Sequence, residues 1–138
     1  MIKSFLFPNK YGEKSYSLLL LAMRVLMGLL LMSHGVQKLM NFSAMSGGFP
    51  DPLGVGSELS LGLAIFGELF CSIAFIAGFL YRLSMIPMIF TLLVAFVFVH
   101  KCSISDGELA FAYLVTFILL YAAGPGKYSI DAIIRKRI

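Results

Sequence analysis

The sequence predicts an all-α protein, an integral membrane four-helix bundle with both termini cytoplasmic. Three observations carry that expectation. The chain of 138 residues is 59% hydrophobic and 13% charged, with a mean hydropathy of +0.93, which is far more apolar than an ordinary soluble domain. Its apolar residues gather into four long runs, 17–40, 59–81, 83–99 and 106–123, where a helix needs about 20 residues to cross the hydrocarbon. Its cations are sorted by side. Lys3, Lys10, Lys14, Arg82, Lys127, Arg135, Lys136 and Arg137 fall on one side, while the opposite loops hold Asp51, Glu58, Asp106 and Glu108 against Lys101. Lys and Arg near helix ends are retained in the cytoplasm, so this sorting sets the orientation.

Each element follows in order. Residues 1–16 form a cytoplasmic amino-terminal segment, and the four-helix bundle occupies 17–123. The first run carries Arg24 and is followed by no small-residue cleavage site, so it reads as a retained helix and not a signal peptide. An outward loop, 41–58, leads to the second run, and a tight turn near Arg82 leads to the third. The third run contains Pro87, expected to kink it, and ends at His100. After a short outward loop, 100–105, Ser105 and Glu108 form an S-x-x-E capping pattern that would start the fourth helix near Asp106. Gly124-Pro125 ends it. The remainder, 124–138, is a basic cytoplasmic tail. Its Ile130, Ile133, Ile134 and Ile138 recur at helical spacing among cations, the pattern of a short helix lying on the anionic inner leaflet. A plain solvated tail accounts for the same residues.

These assignments leave no room for a soluble catalytic domain. The net charge of +4 is the topology signal plus the tail and needs no nucleic acid. Cys71 falls inside the second run and Cys102 at the outer surface, with no C-x-x-C pair, so the chain does not read as a thiol–disulfide exchange enzyme.

The polar residues inside the apolar runs are the candidate site. A charge at mid-membrane costs about 2.5–3.5 kcal/mol on insertion scales, so Arg24 and Glu68 require compensation. At ~100° per residue, Arg24, Gly28, Leu31, Gly35 and Lys38 form one stripe of the first helix, with His34 on its flank. Leu61, Ala64, Glu68, Ser72 and Phe75 form the matching stripe of the second, with Cys71 at its edge. With the outer ends of these helices level, Glu68 lies at a depth between Arg24 and His34, within reach of either. Tyr113, Thr116 and Tyr121 of the fourth run supply hydroxyls to the same interior. The functional reading is an outward-opening polar pocket of His34, Lys38, Glu68 and His100 that binds a small polar or quinone-like head group or relays protons. The structural reading pairs Arg24 with Glu68 to fix helix register and lets Lys38 snorkel to the outer head groups. His34 and Lys38 lack the second histidine that makes an i, i+4 pair a zinc signal, so no metal is expected.

From Arg24 to Asp131 the chain resembles the DoxX family of small four-helix bacterial inner-membrane proteins. The resemblance rests on Arg24, His34, Gly35, Lys38 and Leu39 in an R-x(9)-HG-x-x-KL pattern, the loop GGFPDP, and Gly67-Glu68. It continues through Gly78 and Arg82, His100, the segment GELAFAYL and the terminal GPGKYSID. One departure is GELFCSIAF, where the family often has a second glycine soon after the glutamate. The resemblance implies a redox setting, since the family includes a membrane subunit linked to a thiosulfate:quinone oxidoreductase and relatives tied to oxidative-stress complexes. It implies a quinone as ligand and a redox protein as partner, and the lipid bilayer and further copies of the chain are the other partners considered. The chain has no haem motif, iron–sulfur cysteines or dinucleotide fingerprint, so electrons would come from a partner or pass directly between quinone and solute. A non-catalytic scaffold whose buried charges only fix the bundle is the competing expectation, and solute transport a third.

Overall fold

The computed structural model describes residues 5–6 and 12–138, so most of the segment 1–16, including Lys3 and Lys10, lies outside the described residues. Four helices long and apolar enough to cross a membrane run up and down: α1 (Glu13–Met40), α3 (Ser57–Ala77), α4 (Tyr81–Val99) and α5 (Ile104–Ala123). A one-turn helix, α2 (Phe42–Met45), follows α1, and α6 (Ile130–Arg137) forms the tail. No strand occurs among the described residues.

Burial follows the apolar pattern. Every member of the two stripes is buried except Lys38, which is half-buried. Within its spanning window α3 is 50% buried, against 28% for each of the other three, so α3 is the central helix and the others turn wide apolar faces outward. Leu26, Leu29 and Leu30 on α1, Leu83, Ile86 and Phe90 on α4, and Ile118 and Leu119 on α5 are all exposed. A helical bundle with that much outward apolar surface is suited to lipid, not water.

Glycines set the closest contacts. A Cβ on Gly35 would stand 2.7 Å from the Leu69 amide nitrogen and 2.9 Å from the Glu68 carbonyl carbon, and one on Gly28 would strike Ile76. Gly67 allows the same approach to α4, where a Cβ would lie 2.6 Å from Thr91 Oγ1 and 3.1 Å from the Pro87 carbonyl oxygen. At Gly35 and Gly67 backbone thus meets backbone, and at Gly28 the α1 backbone takes the Ile76 side chain. α3 is thereby clamped between α1 and α4. Deeper in the bundle, Phe75 stacks on Tyr81 at 5.4 Å and meets Phe117 edge-on at 5.2 Å.

Two π-helical turns interrupt the spans, Phe66–Phe70 in α3 and Ala95–Val99 at the end of α4. In each a backbone amide reaches back five residues, Cys71 to Phe66 and His100 to Ala95. Such turns are rare and concentrate at functional sites. α4 stays helical through Pro87; its irregularity falls two turns later.

The helix ends differ from two expectations. The Ser105–Glu108 capping box does not form: α5 starts at Ile104 after Ser103, with no side-chain cap, and Ser105 Oγ instead lies 3.0 Å from Ser103 Oγ. The first turn is distorted at Gly107 (φ −114°, ψ 25°), where the His100 ring occupies the space a Cβ would need. The α1 and α3 ends are also not level. Gly35 packs at Glu68, so α3 continues 11 residues beyond that level while α1 continues only five, a difference of about 9 Å at 1.5 Å per residue.

The loop 41–56 fills that step. Phe42, Met45 and Phe49 pack with Met32 and Val36 onto Leu61, Ile65 and Leu69. Asp51 secures its far end: its carboxylate accepts from the Val55 and Gly56 amides at 2.9 and 2.7 Å and from Ser60 Oγ at 2.7 Å. These bonds tie the loop to the residues just before α3 and to the first turn of the helix. The Ser60 hydroxyl above all, with the Gly56 and Val55 amides, holds the Asp51 carboxyl below its usual range.

At the opposite end the segment 124–131 locks onto the α3–α4 turn. Gly78 and Leu80 both adopt positive φ, 67° and 45°, unusual for a leucine. Asp131 supports that turn, accepting from the Leu80 and Tyr81 amides at 2.8 Å each while its own amide donates to the Gly78 carbonyl at 2.9 Å. A tail residue thus caps the third spanning helix.

Candidate functional site

The ion pair within the bundle joins Lys38 to Glu68, with Nζ 2.6 Å from Oε2. Glu68 sits in the π-helical turn and is 7% exposed. It is nine residues, about 14 Å, from one end of α3 and about 16 Å from the other, so its carboxylate lies near the middle of the span. Gly35 brings α1 against that turn, and Lys38, one turn nearer the loop end, folds its long side chain back over the contact. Lys38 therefore does not snorkel outward.

Arg24 is not the partner of Glu68. Gly28 packs against Phe75 and Ile76, which places Arg24 just past the end of α3, about 16 Å below the level of Gly35. Its buried guanidinium, 3% exposed, donates through Nε to the Ile76 carbonyl at 2.9 Å, through Nη1 to the Pro125 carbonyl at 2.6 Å, and through Nη2 to the Tyr128 carbonyl. Three carbonyls at a helix end and a turn satisfy a planar fork that no single carboxylate could. Arg24 is the rivet of the tail clamp.

The other candidates separate as well. His34 is half-buried, with its ring edge-on to Tyr113 at 6.0 Å, so it faces α5 and not the Glu68 carboxylate as a bonded partner. His100 packs on Gly107 at the loop end. Tyr113 is buried and continues through Phe117 at 6.2 Å into the aromatic core. The Ser72 hydroxyl, one turn beyond Glu68, is fully buried and has no hydrogen-bond partner among the described residues.

The Lys38–Glu68 pair forms the floor of a pocket of about 240 Å³. Ser60, Leu63, Ala64 and Glu68 of α3 make one wall, and Phe90, Thr91, Val94, Ala95 and Val99 of α4 the other. The roof is the GGFPDP loop and the leucine after it, through Phe49, Pro50, Pro52 and Leu53. Leu63 and Phe90 are about half exposed on the outer surfaces of α3 and α4, and Pro50, Leu53 and Val99 are exposed at the loop end, so the pocket reaches the surface both between α3 and α4 and under the loop. Arg24, His34, His100 and Tyr113 do not line it. The roof and the α4 wall were missed from sequence because none of the side chains that line the pocket there is ionisable; the proline-rich loop was their only signal. Among the described residues no group of three His, Cys, Asp or Glu side chains could hold a metal.

Four apolar spans around a buried ion pair define a multi-pass helical membrane protein. The chain belongs to the DoxX family, whose model matches residues 19–101. That range holds Arg24, His34, Lys38, Glu68, His100 and the pocket roof, and it stops short of GELAFAYL and GPGKYSID. No curated protein and no solved structure matches the chain.

Proposed function

We propose that this chain is a membrane binding subunit that admits a small quinone-like head group from the lipid into the pocket above Lys38 and Glu68. The observation that carries this is an ion pair, with Glu68 buried and Lys38 half-buried, at the floor of a largely apolar pocket that opens in part between the exposed faces of α3 and α4. Ligand sites combine apolar walls with a few convergent polar groups in this way. At about 240 Å³ the pocket falls below the roughly 300–1,000 Å³ of sites that enclose a whole drug-sized ligand, which suits one ring, with any tail left between the helices. A quinone would supply a two-electron, two-proton couple. Lys38 would hold a ring oxygen by a hydrogen bond, Glu68 would stand beside it as a carboxyl group able to take or give a proton, and Phe49 and Phe90 would exclude water from the ring faces. Electrons come from a redox protein partner, and further copies of the chain are compatible with the exposed helix faces.

Extraction and mass spectrometry of protein purified with its native lipid test the reading. Wild type is expected to carry a quinone or comparable small amphiphile. Ala95→Phe, which fills the pocket without touching the ion pair, should lose it, and Glu68→Gln should reduce it severalfold. An unchanged load in Ala95→Phe would overturn the proposal in favour of a scaffold, the reading that the tail clamp around Arg24 favours for that residue. The basic end belongs on the cytoplasmic side of the bacterial inner membrane by its charge. Carboxy-terminal fusions to green fluorescent protein and alkaline phosphatase check this, with fluorescence and no phosphatase activity expected.

A further inference from the structure

The tail helix α6 has one face that the bundle does not cover. Ser129 caps its first turn, accepting from the Ala132 amide at 3.2 Å. Asp131 and Ala132 lie on the side turned to the bundle and are half-buried, whereas Ile130, Ile133, Ile134 and Ile138 are exposed. Spacings of three, four and eight residues put those isoleucines on one side. Arg135 and Lys136 border that side, and Arg137, in the last turn, falls within it, where its long side chain can still carry the guanidinium outward.

Two further observations say what covers this face. The first is position. Asp131 is bonded to Gly78, Leu80 and Tyr81, at the end of a 21-residue α3 whose length of about 31 Å matches the hydrocarbon thickness of about 30 Å. α6 therefore starts at the edge of the hydrocarbon and cannot drift into the bulk. The second is charge. Of the two described acids at this end, Glu13 pairs with Lys127 at 2.6 Å and Asp131 is committed to backbone amides. Among the described residues no acid is left to neutralise Lys14, Arg82, Arg135, Lys136 and Arg137.

We infer that α6 is an interfacial anchor for anionic phospholipid, inserting Ile130, Ile133 and Ile134 at the acyl boundary while Arg135, Lys136 and Arg137 meet phosphate head groups. An amphipathic basic helix held in the interface plane is the form such binding takes. Bundle attachment removes most of the entropic cost that a free tail would face. Only the choice of leaflet rests on the orientation proposed above; the lipid preference does not, because both leaflets of a nanodisc are alike.

The chain contains no tryptophan, so Ile134→Trp gives a single fluorescent reporter in the full-length protein. In nanodiscs of brominated phosphatidylcholine mixed with phosphatidylglycerol, its emission should shift to the blue and be quenched. In neutral discs of phosphatidylcholine alone, brominated to the same content per disc, both effects should weaken. Adding Arg135→Gln, Lys136→Gln and Arg137→Gln should lower the bound-to-free ratio by about fivefold per charge removed, with the bundle still folded by circular dichroism. Equal quenching in neutral and anionic discs would overturn the inference. So would a blue shift that tracks the number of protein copies per disc and not lipid charge, which would assign the face to a second copy of the chain.

Discussion

Lys38 neutralises the buried Glu68 carboxylate, although Arg24 and His34 lie on the same helix. Arg24, His34 and Lys38 share one side of α1, and the choice among them depends on depth, which a helical wheel does not encode. With Lys38 and Glu68 paired at 2.6 Å, removing one strands the other. Lys38→Met or Glu68→Leu should each cost about 3–5 kcal/mol, read as a lowered unfolding midpoint in mild detergent. Lys38→Met together with Glu68→Leu should recover most of that loss, because neither charge is then orphaned. Asp51 gives the pH-dependent case. Its carboxyl is held below the ordinary value by Ser60, Gly56 and Val55. The native loop thus favours the ionised form, and its contribution is present above the unfolded carboxyl pKa and lost as pH falls through the lower folded one. Hydrogen exchange at the Val55 and Gly56 amides, taken relative to the intrinsic rate at each pH, should accelerate only on strong acidification. In Asp51→Ala it should be fast already at neutral pH.

At the level of helices the buried faces were readable because burial follows the ~100° periodicity, and the stripes drawn for α1 and α3 are the ones that meet. The π-helical turn at Phe66–Phe70 left no such signal. It accompanies the burial of Gly67, Glu68 and Leu69 in succession, more than one helix face permits, because α3 is gripped from two sides. Gly35 is where that grip brings backbone closest to backbone. A Cβ there would meet backbone atoms of Glu68 and Leu69 within 3 Å, and backbone cannot rotate away as a side chain can. Gly35→Ala should therefore destabilise by about 1–3 kcal/mol and loosen the Lys38–Glu68 pair. Gly62→Ala, also in α3 but with nothing within 4 Å of its Cβ, should be neutral or gain up to about 1 kcal/mol from helix propensity. Thermal unfolding of the two variants side by side separates a packing requirement from a general sensitivity to alanine.

The four-helix membrane architecture could be read from apolar length alone, whereas the way the molecule closes at its basic end could not. Arg24 is compensated by the carbonyls of Ile76, Pro125 and Tyr128, and a carbonyl acceptor is present at every residue, so no letter in the sequence marks it. Asp131 had a faint signal, an acid inside a stretch otherwise built from cations. Arg24 and Glu68 thus belong to two separate devices, a clamp on the tail and the floor of a pocket, set apart by about 16 Å of helix. Energies of sites that far apart should add. In a double-mutant cycle Arg24→Leu and Glu68→Leu are expected to couple by no more than about 0.5 kcal/mol, whereas Lys38 and Glu68 should couple by several times that. Within the clamp itself, Arg24→Lys should fail to substitute, because one ammonium on a flexible stem cannot reproduce a fork held by three fixed acceptors. Arg24→Lys and Asp131→Asn should both expose the tail to cleavage by trypsin at Lys127 and Arg135 at rates well above wild type, while the ligand load of the pocket stays unchanged. If instead the clamp variants emptied the pocket, the two devices would be coupled through α3, and the turn at Gly78–Tyr81 would have to move with Glu68.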